Sequence, residues 1–215
     1  PVIWDDTLYL TSMNEESSSF HVIAIHSDSG SIHWSRDLAY QAFSKHDFNS
    51  FASPSAAVDA DRIYLSWATR DHYFVAAMDH AGEWLWKEDM GPFKSQHGVG
   101  VSPIIYHDKL IVANDQLGKS FIIALDKRSG STIWKTERQS DKAAYSTPCI
   151  YKAPNGKDQL IANSAADGIS GLDLDTGKVL WSYANAFDKR SCSSPIVAGG
   201  KVFGSCGSGG GGNFV

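Results

Sequence analysis

Residues 122–134, IIALDKRSGSTIW, and residues 169–181, ISGLDLDTGKVLW, carry one pattern twice. An apolar run ends in Leu-Asp, a short turn closes on Gly130 or Gly177, and a second run carries Trp134 or Trp181 four residues later. Gly at the end of such a turn suits a backbone that must take positive φ. The Asp of each Leu-Asp, Asp126 and Asp173, is expected to accept backbone N–H groups within the turn. The same Gly-to-Trp step occurs at Gly30 and Trp34 and at Gly82 and Trp86, although the turn at Asp79 is one residue shorter.

Working outward, a Pro stands before each copy: Pro1, Pro54, Pro103 and Pro148 precede their Trp by 33, 32, 31 and 33 residues. Pro195 opens a fifth copy. A period of this kind identifies a repeat architecture before any single element is assigned. The third copy gives its anatomy: strands are expected over 101–106, 109–114, 120–126 and 131–137, with turn residues between them. Four short strands rich in β-branched and aromatic residues make an antiparallel meander. One such sheet cannot bury both faces alone, and stacking copies supplies the missing cover. The expected fold is therefore all-β, a β-propeller of four-stranded antiparallel blades. The blades are approximately 1–38, 50–90, 98–138, 143–185 and a partial 191–215, so the stretch reads as four blades and the start of a fifth in an incomplete ring. A large ring beside the next copy's turn is a packing device. Trp34, Trp86, Trp134 and Trp181, with Gly30, Gly82, Gly130 and Gly177, are assigned to blade docking.

Composition narrows the function classes. Hydrophobic residues at 42% and charged residues at 20% place the chain among folded globular proteins. A net charge of −5 with no basic stripe gives nucleic acid nothing to bind. No apolar run reaches the ~18 residues of a membrane span. The chain starts at Pro1 without a Met, so the compartment is not legible from its beginning. Cys149, Cys192 and Cys206 form no C-x-x-C pair, which disfavours structural zinc. Cys192 and Cys206 flank the turn 198–201 and read either as small buried residues or as a cross-strand disulfide.

The two quoted segments resemble the tryptophan-bearing repeat of quinoprotein, PQQ-like propellers. The run 95–126, SQHGVGVSPIIYHDKLIVANDQLGKSFIIALD, the YSTP at 145–148 and SCSSPIVAGGKVFGSCGSGGGGN at 191–213 resemble more closely the PQQ-like repeat proteins related to a bacterial outer-membrane assembly lipoprotein. The resemblance implies a ring of seven or eight blades in the parent and an extracytoplasmic, periplasmic or secreted setting. It also implies a protein or peptide as partner. Open propeller edges would add the option of self-association.

The same repeat serves PQQ-dependent alcohol and glucose dehydrogenases, so chemistry has to be sought in a site. Such an enzyme implies a calcium ion held by carboxylates and amides, a catalytic Asp and a disulfide between adjacent cysteines. The chain has no adjacent cysteines, and no Asp matches the catalytic one. No catalytic, cofactor or metal residue is therefore assigned, and no cofactor is expected. PQQ with calcium belongs to the alternative, a quinoprotein dehydrogenase. A sensor domain of a larger signalling protein is a further alternative.

The segments leading into first strands are expected to form the rim of one propeller face. Gln96, His97, Tyr145, Lys189 and Arg190 are the candidate ligand site there, against a plain water-filled channel mouth. His21, His26, His33, His72 and His80 read as mostly solvated strand and turn residues. Asn114, Asp115, Gln116 and Asp167 lie in strand connections that resemble cation cradles, yet ordinary turns use the same residues. The run 207–212, GSGGGG, lacks the Lys-Ser/Thr and helix of a phosphate loop and reads as a wide turn. The leading expectation is a non-enzymatic binding scaffold.

Overall fold

A computed structural model describes residues 1–207 apart from positions 42, 44, 48, 140, 141 and 155. The glycine run from 208 onward lies outside the described residues. The fold is all-β, with one short 3-10 turn among the described residues, at Ala184–Ala186. The strands fall into meanders. The first sheet is β1 (Val2–Trp4), β2 (Thr7–Asn14), β3 (Ser19–His26) and β4 (Ile32–Ala39). The second is β5 (Ala57–Val58), β6 (Ile63–Ala68), β7 (Tyr73–Met78) and β8 (Trp84–Asp89). The third is β9 (Ile104–Tyr106), β10 (Lys109–Asn114), β11 (Ser120–Asp126) and β12 (Thr132–Arg138). The fourth is β13 (Cys149–Tyr151), β14 (Gln159–Ser164), β15 (Gly168–Asp173) and β16 (Val179–Tyr183). A hairpin of β17 (Ile196–Ala198) and β18 (Lys201–Phe203) follows. Each four-stranded sheet keeps its strands in chain order. These are the blades of a β-propeller fold.

The first strand of the third sheet is three residues long where the sequence suggested six. Pro103 has no N–H to give to a ladder, so regular pairing starts only after it.

All four sheets share one irregularity. The register between third and fourth strands shifts at Ala24/Ile25, Ala77/Met78, Ala124/Leu125 and Gly171/Leu172. The residue facing Ala24, Ala77, Ala124 or Gly171 is the repeat's Trp. The extra residue of each bulge precedes that Trp: His33, Leu85, Ile133 or Leu180. All four are exposed. A bulge bends its strand and re-aims the side chain that follows, so the Gly-to-Trp spacing read in the sequence has a backbone cause.

By compactness the chain divides into two units, Pro1–Leu110 with Lys127–Gly130, and Ile111–Asp126 with Ser131–Val215. In the first, Tyr9, Phe20, Val22 and Ala24 pack with Phe51, Ile63, Leu65, Trp67 and Met78 in one core. Trp34 Nε1 donates to the His80 carbonyl at 2.9 Å, and Trp86 Nε1 donates to the Lys127 carbonyl at 3.1 Å. The rings lie so close to the turns that a Cβ at Gly82 would meet Trp34 at 2.9 Å, and one at Gly130 would meet Trp86 at 2.8 Å. Both glycines also have positive φ, +82° and +79°, so two independent constraints exclude a side chain there. Arg36 closes over the same turn as Trp34, donating to the carbonyls of Gly82 and Ala81 and to Glu83.

In the second unit, Trp134 repeats the arrangement. It is 7% exposed, its Nε1 donates to the Leu174 carbonyl at 3.0 Å, and Thr136 Oγ1 donates to the Gly177 carbonyl at 2.6 Å. Trp181 differs. It is 37% exposed, its Nε1 donates to Gln159 Oε1 at 2.7 Å, and its ring lies over Gly171 of its own sheet.

Candidate functional site: the lead-in segments

Of the five rim candidates, Gln96 and His97 belong to the first unit, and Tyr145, Lys189 and Arg190 to the second. Each group is described where it stands.

In the first unit two lead-in segments, residues 40–56 and 91–103, are pinned by aromatic packing. Phe51 is buried against the rings of Tyr40 and Phe43 at 5.2 and 5.0 Å, and the Tyr40 hydroxyl donates to the Ala68 carbonyl at 2.5 Å. Burial raises the Tyr40 hydroxyl pKa, so it stays a donor. Asn49 joins the two segments. Its N–H donates to the His46 carbonyl at 2.9 Å, its side-chain amide donates to the His97 carbonyl, and its Oδ1 accepts from Ser53 Oγ at 2.5 Å. Gly98, at φ +85°, lets the chain pass Asn49; a Cβ there would stand 3.1 Å from Asn49 Nδ2. The outcome is a pair of imidazoles, His46 and His97, with ring centroids 5.2 Å apart. His46 and Gln96 are exposed and His97 is half-buried. The sequence had singled out His97 but not His46. The second histidine comes from a loop of no fixed period, and only the position of Asn49 could have pointed to it.

Polar groups on second strands reach the next lead-in segment. Thr11 Oγ1 donates to the Ala52 carbonyl at 3.2 Å, and Ser66 Oγ donates to the Val101 carbonyl at 3.4 Å. A cavity of ≈ 220 Å³ lies beside Thr11, lined by Leu10, Ala52, Pro54 and Ala56. That is below the ~300 Å³ of an ordinary small-molecule site.

In the second unit, the Tyr145 N–H donates to the Ser191 carbonyl at 2.9 Å, and the Arg190 carbonyl accepts from the Gly207 N–H at 3.0 Å. Tyr145, Lys189 and Arg190 are each half-buried. The second-strand pattern recurs: Asn163 accepts from Ser146 Oγ and donates to the Ser193 carbonyl at 3.4 Å.

A buried ion pair of the second unit adjoins the Tyr145 segment. Arg138, at the end of β12, reaches Asp115 with Nε at 2.7 Å and with a second nitrogen at 3.4 Å. It also donates to Ser164 Oγ at 3.0 Å and Ser170 Oγ at 3.4 Å, and its Nε is 3.6 Å from Asp167 Oδ2. Arg138 and Asp115 side chains are both 4% exposed. Burial pushes the Asp115 carboxyl above its ordinary value even with Arg138 beside it. The Asp115 carbonyl in turn accepts from the Ala144 N–H at 3.1 Å, which fixes the start of the Tyr145 segment. Asp167 accepts from the Gln139 N–H at 3.2 Å and from Ser164 Oγ. The loops that resembled cation cradles have therefore turned their carboxylates inward onto an arginine. Gln116 closes its own turn through Ser120 Oγ at 2.9 Å. Asn114 is buried, and neither polar atom of its carboxamide has a partner among the described residues.

The remaining histidines have structural partners. His21 meets Asp37, and His72 meets Asp89, both at 2.6 Å. His80 is half-buried and bridges Tyr9 Oη at 2.7 Å and the Asp59 carbonyl at 2.9 Å. Asp173 behaves as a turn residue, accepting from the N–H groups of Asp175 and Thr176 and from the Thr176 hydroxyl. The Thr176 hydroxyl bond and these N–H groups hold its carboxyl below the ordinary range. Cys149, Cys192 and Cys206 are free thiols. Cys206 is buried but Cys192 is exposed, because β17 and β18 pair only from Ile196 to Phe203 and leave Cys192 outside the ladder. Among the described residues no group of three or more His, Cys, Asp and Glu converges to hold a metal ion. Nor is any helix long and apolar enough to cross a membrane.

A family profile described as outer membrane protein assembly factor BamB matches residues 2–214. A polyvinylalcohol dehydrogenase from a Pseudomonas species is 25% identical over 218 residues, covering 82% of this chain and 32% of that protein. The structure is similar to that of BamB from Moraxella catarrhalis, with TM-score 0.62 and 17% identity over 89% of this chain and 53% of that one. It is equally similar to the quinohemoprotein alcohol dehydrogenase from Comamonas testosteroni, with TM-score 0.62 and 17% identity over 95% of this chain and 38% of that one. The chain thus spans about a third of the curated relative it matches and about half of the BamB structure.

Proposed function

Since the chain belongs to the family described as outer membrane protein assembly factor BamB, we propose that it is part of an exported, non-enzymatic scaffold that binds a protein or peptide. The lead-in segments and strand connections provide the binding surfaces of each unit taken by itself: Gln96 and His97 in the first, and Tyr145, Lys189 and Arg190 in the second. The observation that carries this reading is the Arg138 cluster. A calcium cradle needs six to eight oxygens turned toward one point. Asp115 and Asp167 turn theirs to Arg138 instead, so these two loops do not fit the calcium ion that accompanies PQQ. What they do support is a rigid edge that holds Ala144 and Tyr145 in place. Pre-organised edges of this kind suit protein recognition, where ordering cost is removed in advance.

The alternative, a PQQ-dependent dehydrogenase, is favoured by the match to polyvinylalcohol dehydrogenase. Deleting the parent gene and quantifying outer-membrane proteins separates the two. The scaffold reading expects a broad fall in those proteins that returns when the parent is restored. Unchanged outer-membrane proteins, together with lost growth on an alcohol, would favour the dehydrogenase.

A further inference from the structure

We propose that copies of this chain associate head to tail, with Trp181 of one copy docking on the turn at residues 27–30 of the next. The inference is independent of the scaffold reading, because it rests on a joint that the chain already builds within itself.

In the filled joints the ring of Trp34, Trp86 or Trp134 lies over Gly82, Gly130 or Gly177. The indole N–H donates to the carbonyl of His80, Lys127 or Leu174. All three glycines are buried. The Gly30 turn has the same build without the ring. Its φ is +70°, against +72° at Gly177. The Gly30 N–H donates to the His26 carbonyl at 2.9 Å, as the Gly177 N–H donates to the Asp173 carbonyl at 2.9 Å. The His26 N–H donates to the Ser31 carbonyl at 2.8 Å, as the Asp126 N–H donates to that of Ser131 at 2.7 Å. Even the cap is reproduced. His26 Nδ1 accepts from the N–H groups of Asp28 and Ser29, where Asp173 Oδ1 accepts from those of Asp175 and Thr176. Yet residues 27–30 are exposed, and a Cβ on Gly30 would meet nothing within 4 Å among the described residues. By its place in the turn, the Ser27 carbonyl is the acceptor that an indole N–H would reach. The acceptor half of the joint is therefore preformed, which removes its ordering cost in advance.

Trp181 is the converse, a ring aimed by the same bulge with no turn laid over it. It is 37% exposed, and its Nε1 rests on Gln159 of its own sheet. Docking exchanges that hydrogen bond for one to a carbonyl, so the gain comes from apolar surface removed from water. The residue two past the Trp supports the filled joints: Arg36 Nε donates to the Gly82 carbonyl at 2.9 Å and Thr136 Oγ1 to that of Gly177 at 2.6 Å. Tyr183 stands at that place beyond Trp181, 65% exposed and carrying a hydroxyl. A second copy fits as the occupant because the chain carries both open halves of one joint. Each half is complementary to the other and not to itself, so the contact is heterologous and every copy gives one ring and one turn.

The test is sedimentation velocity of the full chain over a concentration series up to ~100 µM, with two variants. Trp181→Ala removes the ring. Gly30→Ala puts a Cβ where the ring would lie, a clash that stands at 2.5 to 2.9 Å in the filled joints. Both positions are exposed, so both variants should keep the circular dichroism of the unaltered chain. The joint predicts that the unaltered chain associates as concentration rises, and that each variant alone is weakened by about tenfold or more. An equal mixture of the two variants keeps one turn and one ring, and it should form a one-to-one complex and nothing larger. A chain that stays monomeric throughout would give the turn to some other occupant and overturn the proposal. So would association that survives in either variant, or a mixture that remains monomeric.

Discussion

Trp134 and Trp181 occupy the same place in successive repeats, each behind the same bulge and each facing a small residue of the neighbouring strand. Their surroundings differ. Trp134 is covered by the Leu174–Gly177 turn of the following repeat and is almost fully buried. Trp181 lies on Gly171, bonds Gln159 of its own sheet and stays more than a third exposed. The difference separates two jobs that one motif performs. The bulge and the Gly-to-Trp spacing aim the ring, whereas burial comes from the turn of the next repeat. Gly171, in place of the Ala found at positions 24, 77 and 124, lets the Trp181 ring settle on its own sheet.

Five substitutions break or sharpen this contrast. Trp134→Ala removes a buried ring and its hydrogen bond and should cost about 3–5 kcal/mol in denaturant unfolding, whereas Trp181→Ala should cost less than about 2 kcal/mol. Equal losses would mean that the turn contributes nothing. Arg138→Met leaves Asp115 buried without its partner and should destabilise the second unit by about 3 kcal/mol. The position four past Trp181 is Asn185, which forms no such pair. Gly177→Ala forces a Cβ to 2.5 Å from the Trp134 ring at a φ of +72° and should cost about 1–3 kcal/mol. Gly30→Ala, at φ +70° with open space around it, should cost only about 1 kcal/mol.

The smallest effect is a pH dependence in the first unit. Burial works to raise the Asp59 carboxyl, but the bond from Lys127 at 2.7 Å, the N–H groups of Asp61 and Arg62 and the Lys127 charge overcome it and hold it below the ordinary range. A carboxyl lowered on folding contributes stability that is present above its unfolded value, near ~4, and is lost as the pH falls through the lowered folded value. Asp59→Asn should therefore flatten the fall in melting temperature between about pH 5 and pH 2. A fall as steep as that of the unaltered chain would place the acid sensitivity elsewhere.

The repeat was legible in the sequence because it rests on local demands that recur: a positive-φ Gly, an Asp that caps a turn, a Trp at fixed distance. These demands placed β10 and β11 at their residue bounds and β12 to within one residue. The first strand of the third repeat came out shorter than expected, because a strand opened by Pro cannot pair until after it. The site was less legible. The sequence grouped Asp115 and Asp167 by residue type, and type alone cannot reveal that Arg138, distant in the chain, claims both. His97 was found from its place before a first strand. His46 was missed because its loop has no counterpart in the other repeats, and Asn49, which joins the two, looks like any turn residue until its partners are seen.

The central claim is that these repeats form a binding scaffold rather than part of a quinoprotein enzyme. The most direct test is a titration of the complete parent protein with PQQ and Ca²⁺, followed by tryptophan fluorescence and by dye reduction with simple alcohols, including polyvinyl alcohol. The scaffold account predicts no saturable binding up to ~100 µM and no turnover. Stoichiometric binding with turnover would contradict it.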